Sequence, residues 1–299
     1  MRFILIVVCL VLGASSAQAD NTLAYLDNGM GARALGMGNA FVSVADDPLA
    51  VYWNPAGLAS QHFSRIKFSY QNDIFNYNNI QIFANLPSPL GKFGLGFVSN
   101  QTSALLNVPT PNNEAERPAS IGALNDLCMS TFLSYGTVVR QGLMLGGTAK
   151  VLYRQLASAS AVGLAFDGGV LLHFVRGWSL GIQGRNMLST GIQWSGTSNT
   201  PSQAVAGSIE LGLSGRLGDH LLAGSYNLDG SAAAGAELKL NPMFCLRGGI
   251  QSPTGQSLRY SLGSTLEYGD CSIDYALRMD TDAALASNLE HTISVGFKL

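Results

Sequence analysis

LMLGGTAKVLYR, Leu143 to Arg154, alternates strictly: Leu143, Leu145, Gly147, Ala149, Val151 and Tyr153 share one face, and Thr148, Lys150 and Arg154 the other. Successive side chains of a strand point to opposite sides, so a period of two marks a strand with one oily and one polar face. The pattern returns in Val205 to Leu217, where Val205, Ile209, Leu211, Leu213 and Leu217 oppose Ser208, Glu210, Ser214 and Arg216. It returns again in Leu258 to Tyr268, with Leu258, Tyr260, Leu262, Leu266 and Tyr268 against Arg259, Ser261, Thr265 and Glu267.

About fourteen such segments begin near residues 63, 77, 91, 128, 142, 161, 177, 205, 219, 231, 243, 256, 271 and 288. Most run for roughly ten residues, the length of a tilted strand crossing a bilayer, where strands of water-soluble sheets average about five or six. Short connections at Pro87-Ser88-Pro89-Leu90, Arg140-Gln141, Arg176, Gly218, Asn241-Pro242 and Gly269-Asp270 interleave with mostly longer ones. The longer set includes Gln101 to Leu127, Gln155 to Ser160, Leu188 to Ala204 and Asp280 to Ser287. Short turns on one rim and longer loops on the other are the mark of a bacterial outer-membrane barrel, the short turns lying in the periplasm.

Alternation does not say which face points outward, but chain closure does. A barrel of about fourteen strands encloses a lumen too wide for apolar side chains to fill, so the oily face belongs to lipid. The predicted fold is an all-β, antiparallel transmembrane barrel. Lys150, Arg154, Glu210, Arg216, Glu237, Lys239, Arg247, Arg259, Glu267, Asp274, Arg278, Glu290 and Lys298 then face the lumen; their mixed signs predict braced walls rather than ion selectivity. Tyr70, Tyr153, Trp178, Tyr226, Tyr260, Tyr268 and Phe297 stand near strand ends as interfacial girdles. The last strand, Leu289 to Leu299, finishes Phe297-Lys298-Leu299, which resembles the terminal signal read by barrel-assembly machinery.

Composition narrows the rest. The 299 residues carry 17 basic and 19 acidic side chains, which leaves no basic footprint for nucleic acid. Glycine is high at 35, yet 47% of residues are hydrophobic and proline numbers only 10, so the chain folds rather than staying disordered. Arg2, the apolar run Phe3 to Leu12 and Ala17-Gln18-Ala19 predict a signal peptide over residues 1–19 and export by the Sec route. Cys128, Cys245 and Cys271 then remain, an odd number without metal or redox spacing, and read as small apolar residues. His62, His173, His220 and His291 are scattered, and neither a G-x-S-x-G elbow nor an H-E-x-x-H helix occurs, so no enzyme activity, metal or cofactor is expected.

Residues 20–62 do not alternate. They hold Gly29, Gly31, Gly36 and Gly38, then Asp46-Asp47-Pro48, then Asn54-Pro55-Ala56-Gly57. Gly29-x-Gly31-x-x-Ala34 fits a dinucleotide fingerprint only formally, because no buried strand precedes it. Asp47 before Pro48 predicts a short helix over Pro48 to Trp53, ended at Asn54 by the extended bias Pro55 imposes. A compact knot of this size before the first strand (63–299 being the barrel) predicts a plug, or hatch.

GARALGMGNAFVSVADDPLAVYWNPAGLA, Gly31 to Ala59, resembles the N-terminal signature of the FadL-like outer-membrane superfamily and is especially similar to its PorV/PorQ-type branch. Gly184-Arg185-Asn186-Met187-Leu188 resembles a recurrent stretch of that branch. The resemblance implies a fourteen-stranded barrel closed by an N-terminal hatch, with Gly36, Gly38, Asp46, Asp47, Asn54, Pro55, Ala56 and Gly57 as the hatch motif. It also implies one of two roles. The first is gated passive transport of small hydrophobic solutes in the outer membrane, with a wall kink at Gly94 and Gly96 or at Gly168 and Gly169, because glycine weakens a ladder. The second is a structural or binding component of a type IX secretion or surface-assembly apparatus, with secretion proteins as partners.

Overall fold

The computed structural model describes residues 24–72, 77–105, 123–175, 177–195, 202–281 and 289–299. The expected signal segment lies outside the described residues, as do 106–122 of the longest expected loop and 282–287 of the last one. Fourteen strands follow one another: β1 (Arg65–Asn72), β2 (Tyr77–Ser88), β3 (Gly91–Leu105), β4 (Ala123–Arg140), β5 (Leu143–Leu156), β6 (Ala159–His173), β7 (Trp178–Ser195), β8 (Ser208–Leu217), β9 (His220–Asn227), β10 (Ala232–Asn241), β11 (Phe244–Ser252), β12 (Arg259–Tyr268), β13 (Cys271–Asp280) and β14 (Leu289–Lys298). Each pairs with its neighbours in sequence, and β1 pairs antiparallel with β14 from Arg65↔Lys298 to Asn72↔His291, closing the barrel.

The faces fall as the alternation predicts. Along β5, Met144, Thr148, Lys150 and Leu152 are buried, whereas Val151 on the opposite face is exposed. Along β12, Ser261 and Thr265 are buried while Tyr260, Leu262, Leu266 and Tyr268 are exposed. Tyr70, Trp178, Tyr226, Tyr260, Tyr268 and Phe297 are all exposed, as a girdle on the outer surface requires. An apolar outside and a polar inside is the surface of a barrel in lipid, not of a barrel in water.

Several expected connections turn out to be strand. β3 and β4 take in Gln101 to Leu105 and Ala123 to Leu127 at the two ends of one expected loop, and β7 takes in Leu188 to Ser195 of another. Gln155 to Ser160 is largely ladder, with Leu156 paired to Ala159 across a turn at Ala157 and Ser158. Hydrogen bonding there continues past the apolar band, so polar composition does not mark the end of pairing.

Residues 24–61 lie in the lumen. They bond the inner side chains of Gln81 on β2, Ser130 on β4, Thr148 on β5, Gln183 on β7, Ser214 on β8, Glu237 on β10 and Ser294 on β14. A segment touching strands all round a closed barrel can only be inside it. Its helices are short: α1 (Ala32–Gly36), α2 (Ala50–Trp53) and 3-10 turns at Ala24–Leu26 and Pro55–Ser60. The helix expected over Pro48 to Trp53 is therefore shorter. Asp47 Oδ1 accepts from the Leu49 N–H at 2.9 Å in the turn leading into it. Asn54 does more than end α2: its Oδ1 accepts from the Ala56 N–H at 3.2 Å and starts the following 3-10 turn.

Candidate functional site: the plug seat and its two mouths

The plug rests on a belt of inward glycines. A Cβ at Gly136 would lie 2.7 Å from Pro55 O, at Gly146 2.3 Å from Pro55 C, and at Gly169 2.2 Å from Asn54 Oδ1. Farther round, a Cβ at Gly181 would meet Val42 O at 2.4 Å, at Gly235 Met37 O at 2.3 Å, and at Gly249 Gly38 N at 2.1 Å. Only residues without a side chain let the plug backbone approach the wall this closely. Asn54, fully buried, completes the seat by donating from Nδ2 to Val42 O at 2.9 Å and to Val170 O at 3.1 Å. Of the hatch motif, Asn54, Pro55 and Ala56 press on this belt, Gly36 packs on Gly263, Gly38 turns at φ +63° against Ile250, and Gly57 lies on Ala45.

Charge fixes the other side of the plug. Arg33 Nε lies 2.9 Å from Glu237, Glu237 lies 2.7 Å from Arg247 Nε, and Arg247 Nη1 lies 3.5 Å from Asp274. Asp274 lies 2.9 Å from Lys67 Nζ, Lys67 3.0 Å from Asp47, and Asp47 3.9 Å from Arg33, which closes a six-membered ring of alternating sign. Asp46 extends it, with Arg33 at 2.5 Å and Arg216 at 2.8 Å. Burial pushes the Asp46 carboxyl upward, but Arg33 and Arg216 outweigh that and hold it below the usual carboxylate range. Burial likewise works against the Arg33 charge, and Asp46, Glu237 and Asp47 more than restore it, so its pKa is raised.

The remaining expected lumen charges are mostly paired within the wall. Lys150 lies 2.6 Å from Asp167, Arg154 2.7 Å from Asp126, Glu210 3.2 Å from Arg185, Arg259 3.5 Å from Asp280, and Arg278 pairs with Glu290. Lys239 and Glu267 are exposed at the short-turn mouth, where Lys298 Nζ sits 3.9 Å over the Phe63 ring. Sequence reading missed Arg33, Lys67, Asp126, Asp167 and Arg185. Lys67 was detectable, since it alternates with Ser69 and Gln71. Asp167 was not, because its inner-face neighbours Ala161, Gly163, Ala165 and Gly169 are small and unpolar, and Asp126 fell in the expected loop.

Of the two expected kink positions, the ladder is regular at Gly94 and Gly96 and irregular beside Gly168. Ladders run in register through Gly94 and Gly96 on both sides, and those glycines instead make room for Val51, Leu58 and Phe83. Gly168 and Gly169 pair in register with Gly147 and Gly146. The irregularity lies across from them on β7, where Arg185, Asn186 and Met187 all stand opposite Asp167, and Thr190 and Gly191 opposite Leu164. Beyond Arg185↔Ser208 the described residues show no further ladder between β7 and β8; β7 continues to Ser195 against β6, and the chain leading into β8 meets it again only at an isolated Ile192↔Gln203 bridge. Asn186 holds this break at φ +49°: its N–H donates to Asp167 Oδ1 at 2.7 Å, its Nδ2 to Ala206 O at 2.9 Å, and its Oδ1 accepts from Lys150.

Cavities border the plug at both mouths. At the short-turn mouth a crevice of about 460 Å³ reaches the charge ring at Arg33, Asp47, Lys67 and Glu237. At the long-loop mouth a cavity of about 630 Å³ is floored by Asn28, Asn39 and Trp53 and borders the β7 break at Arg185, Ala206 and Ser208. Between them, Met30, Leu35, Phe41, Leu49 and Leu58 are fully buried.

No protein-family model matches the chain, and no curated protein is similar to it. Among solved structures it is similar to the toluene transporter TbuX of Ralstonia pickettii, with TM-score 0.66 and 12% identity over 91% of this chain and 99% of that one. It is similar to the toluene transporter TodX of Pseudomonas putida, with TM-score 0.66 and 13% identity over 90% and 98%. A FadL homologue of Pseudomonas aeruginosa gives TM-score 0.60 and 12% identity over 90% and 98%. At such identities the likeness is one of fold: the chain shares the barrel fold of these proteins.

Proposed function

We propose that the chain is a gated passive channel for small hydrophobic solutes in the outer membrane of a diderm bacterium, with residues 20–62 as its hatch. The observation that carries this reading is a closed barrel with a cavity at each mouth, separated by a plug whose hold on the wall is non-covalent. Likeness of fold to two toluene transporters supports the solute class. The break beside β7 supports release of solute sideways into lipid, since the outer cavity borders it and the axial path is filled by buried plug side chains.

The test is uptake of an apolar fluorescent probe into proteoliposomes containing the full chain, alongside ion conductance. Probe uptake above that of empty vesicles is expected. Asn54→Ala with Pro55→Ala, which loosens the seat, changes uptake; an unchanged rate rejects the hatch as the gate. A barrel that passes no solute and co-purifies with secreted proteins would be a scaffold of a secretion apparatus instead.

A further inference from the structure

The cavity at the long-loop mouth has a lining that a plain hydrocarbon does not match. Its volume, about 630 Å³, lies in the range of small-ligand pockets, roughly 300 to 1,000 Å³, but such pockets are mainly apolar and this one is not. Asn28, Asn39, Arg185, Glu210, Gln251 and Arg259 all reach it. The two cations are already paired, Arg185 with Glu210 at 3.2 Å and Arg259 with Asp280 at 3.5 Å, and the lining carboxylates are partnered too, Asp229 accepting from the Ser231 N–H at 2.7 Å and from Thr254 Oγ1, so the site does not call for an ion. Arg185 also lies over the rings of Tyr52 and Trp53, at 4.7 and 5.1 Å, which tethers it to the plug. Asn39 is only 4% exposed; its Nδ2 donates to Asn28 O and Gln251 Oε1, both at 3.3 Å, and its Oδ1 has no hydrogen-bond partner.

We propose that this outer cavity binds a small, uncharged aromatic solute bearing a hydroxyl or comparable hydrogen-bonding group, so that the channel's substrate class is amphiphilic rather than plain hydrocarbon. This rests on the channel reading above. A hydrocarbon here strips water from amide and guanidinium groups and returns no bonds, a penalty at every group left unsatisfied. A hydroxyl replaces the displaced water. Sites built to bond a hydroxyl reject the analogue lacking it far more strongly than apolar pockets reject an added one.

Toluene and p-cresol differ by one hydroxyl and separate the cases. Binding is measured by calorimetry on the full chain in nanodiscs against empty nanodiscs, with flux measured in parallel in proteoliposomes. The chain is expected to bind p-cresol at least about tenfold more tightly than toluene, the reverse of the order in an apolar pocket. Gln251→Leu and, separately, Ser208→Val narrow that ratio, provided each variant keeps the heat-modifiable gel mobility of a folded barrel. Toluene binding as well as or better than p-cresol overturns the proposal, and if toluene also crosses the vesicle wall the channel reading survives. Preferential p-cresol binding with no flux of either probe keeps the site and overturns the channel. Binding of neither probe overturns the site.

Discussion

Gly248 and Gly249 are neighbours on β11 with opposite duties. A Cβ on Gly249 would sit 2.1 Å from Gly38 N, whereas one on Gly248 meets nothing within 4 Å. Gly249→Ala is expected to lower unfolding stability by about 1–3 kcal/mol through displacement of the plug, while Gly248→Ala is neutral or slightly stabilising; urea titration in detergent micelles distinguishes them. Arg33→Met takes the shared cation from Asp46 and Glu237, and breaking one partner out of a buried pair costs about 3–5 kcal/mol, read in the same titration. Asp46 sets the acid limit. Its folded pKa is lowered, so its contribution is complete above the ordinary carboxylate value and disappears as pH falls through the folded one. For this pair the thermal midpoint is flat from pH 5 to 8 and declines only below about pH 4.

At the scale of elements, the plug and β7 depend on their surroundings in different ways. No helix of the plug is longer than six residues, far below the roughly 12 to 15 that an isolated helix needs. A synthetic peptide of residues 24–61 is accordingly expected to be unstructured by circular dichroism. In β7, Asn186 holds a positive φ and three bonds at the break, so Asn186→Val is expected to cost about 1–3 kcal/mol and to speed amide exchange over residues 186–195. If exchange there matches the wild type, the break is not held by Asn186. The strand pattern was legible in the sequence because lipid on one side and polar lumen on the other impose a strict period of two. The β7 bulge was not: Asn186 is a residue type that tolerates positive φ, but the partners that hold it there, Lys150 and Asp167, stand on β5 and β6.

For the whole molecule, the high glycine content, which in sequence said only that the chain was unusual, has a spatial meaning. Glycines scattered from residue 94 to residue 263 come together as one belt because nine strands, β3 to β8 and β10 to β12, contribute at the level where the plug passes. Their spacing along the chain follows strand length, so no local motif discloses the belt. The charge ring is equally hidden: Arg33 and Asp47 come from the leading segment, Lys67 from β1, and Glu237, Arg247 and Asp274 from the last third of the chain. Fold class is thus readable from periodicity, and the seat only from closure.

The junction of β1 with β14 bears on how the protein is made. The plug immediately precedes β1, yet it bonds Ser294 on β14 and Glu237 on β10, which lie 262 and 204 residues beyond the plug residues they meet. It is too broadly attached to thread into a finished cylinder, so it must already be surrounded when the final edge meets the first. Biogenesis then resembles wrapping a sheet around its own leading end, with the Arg65–Lys298 seam as the last step to zip.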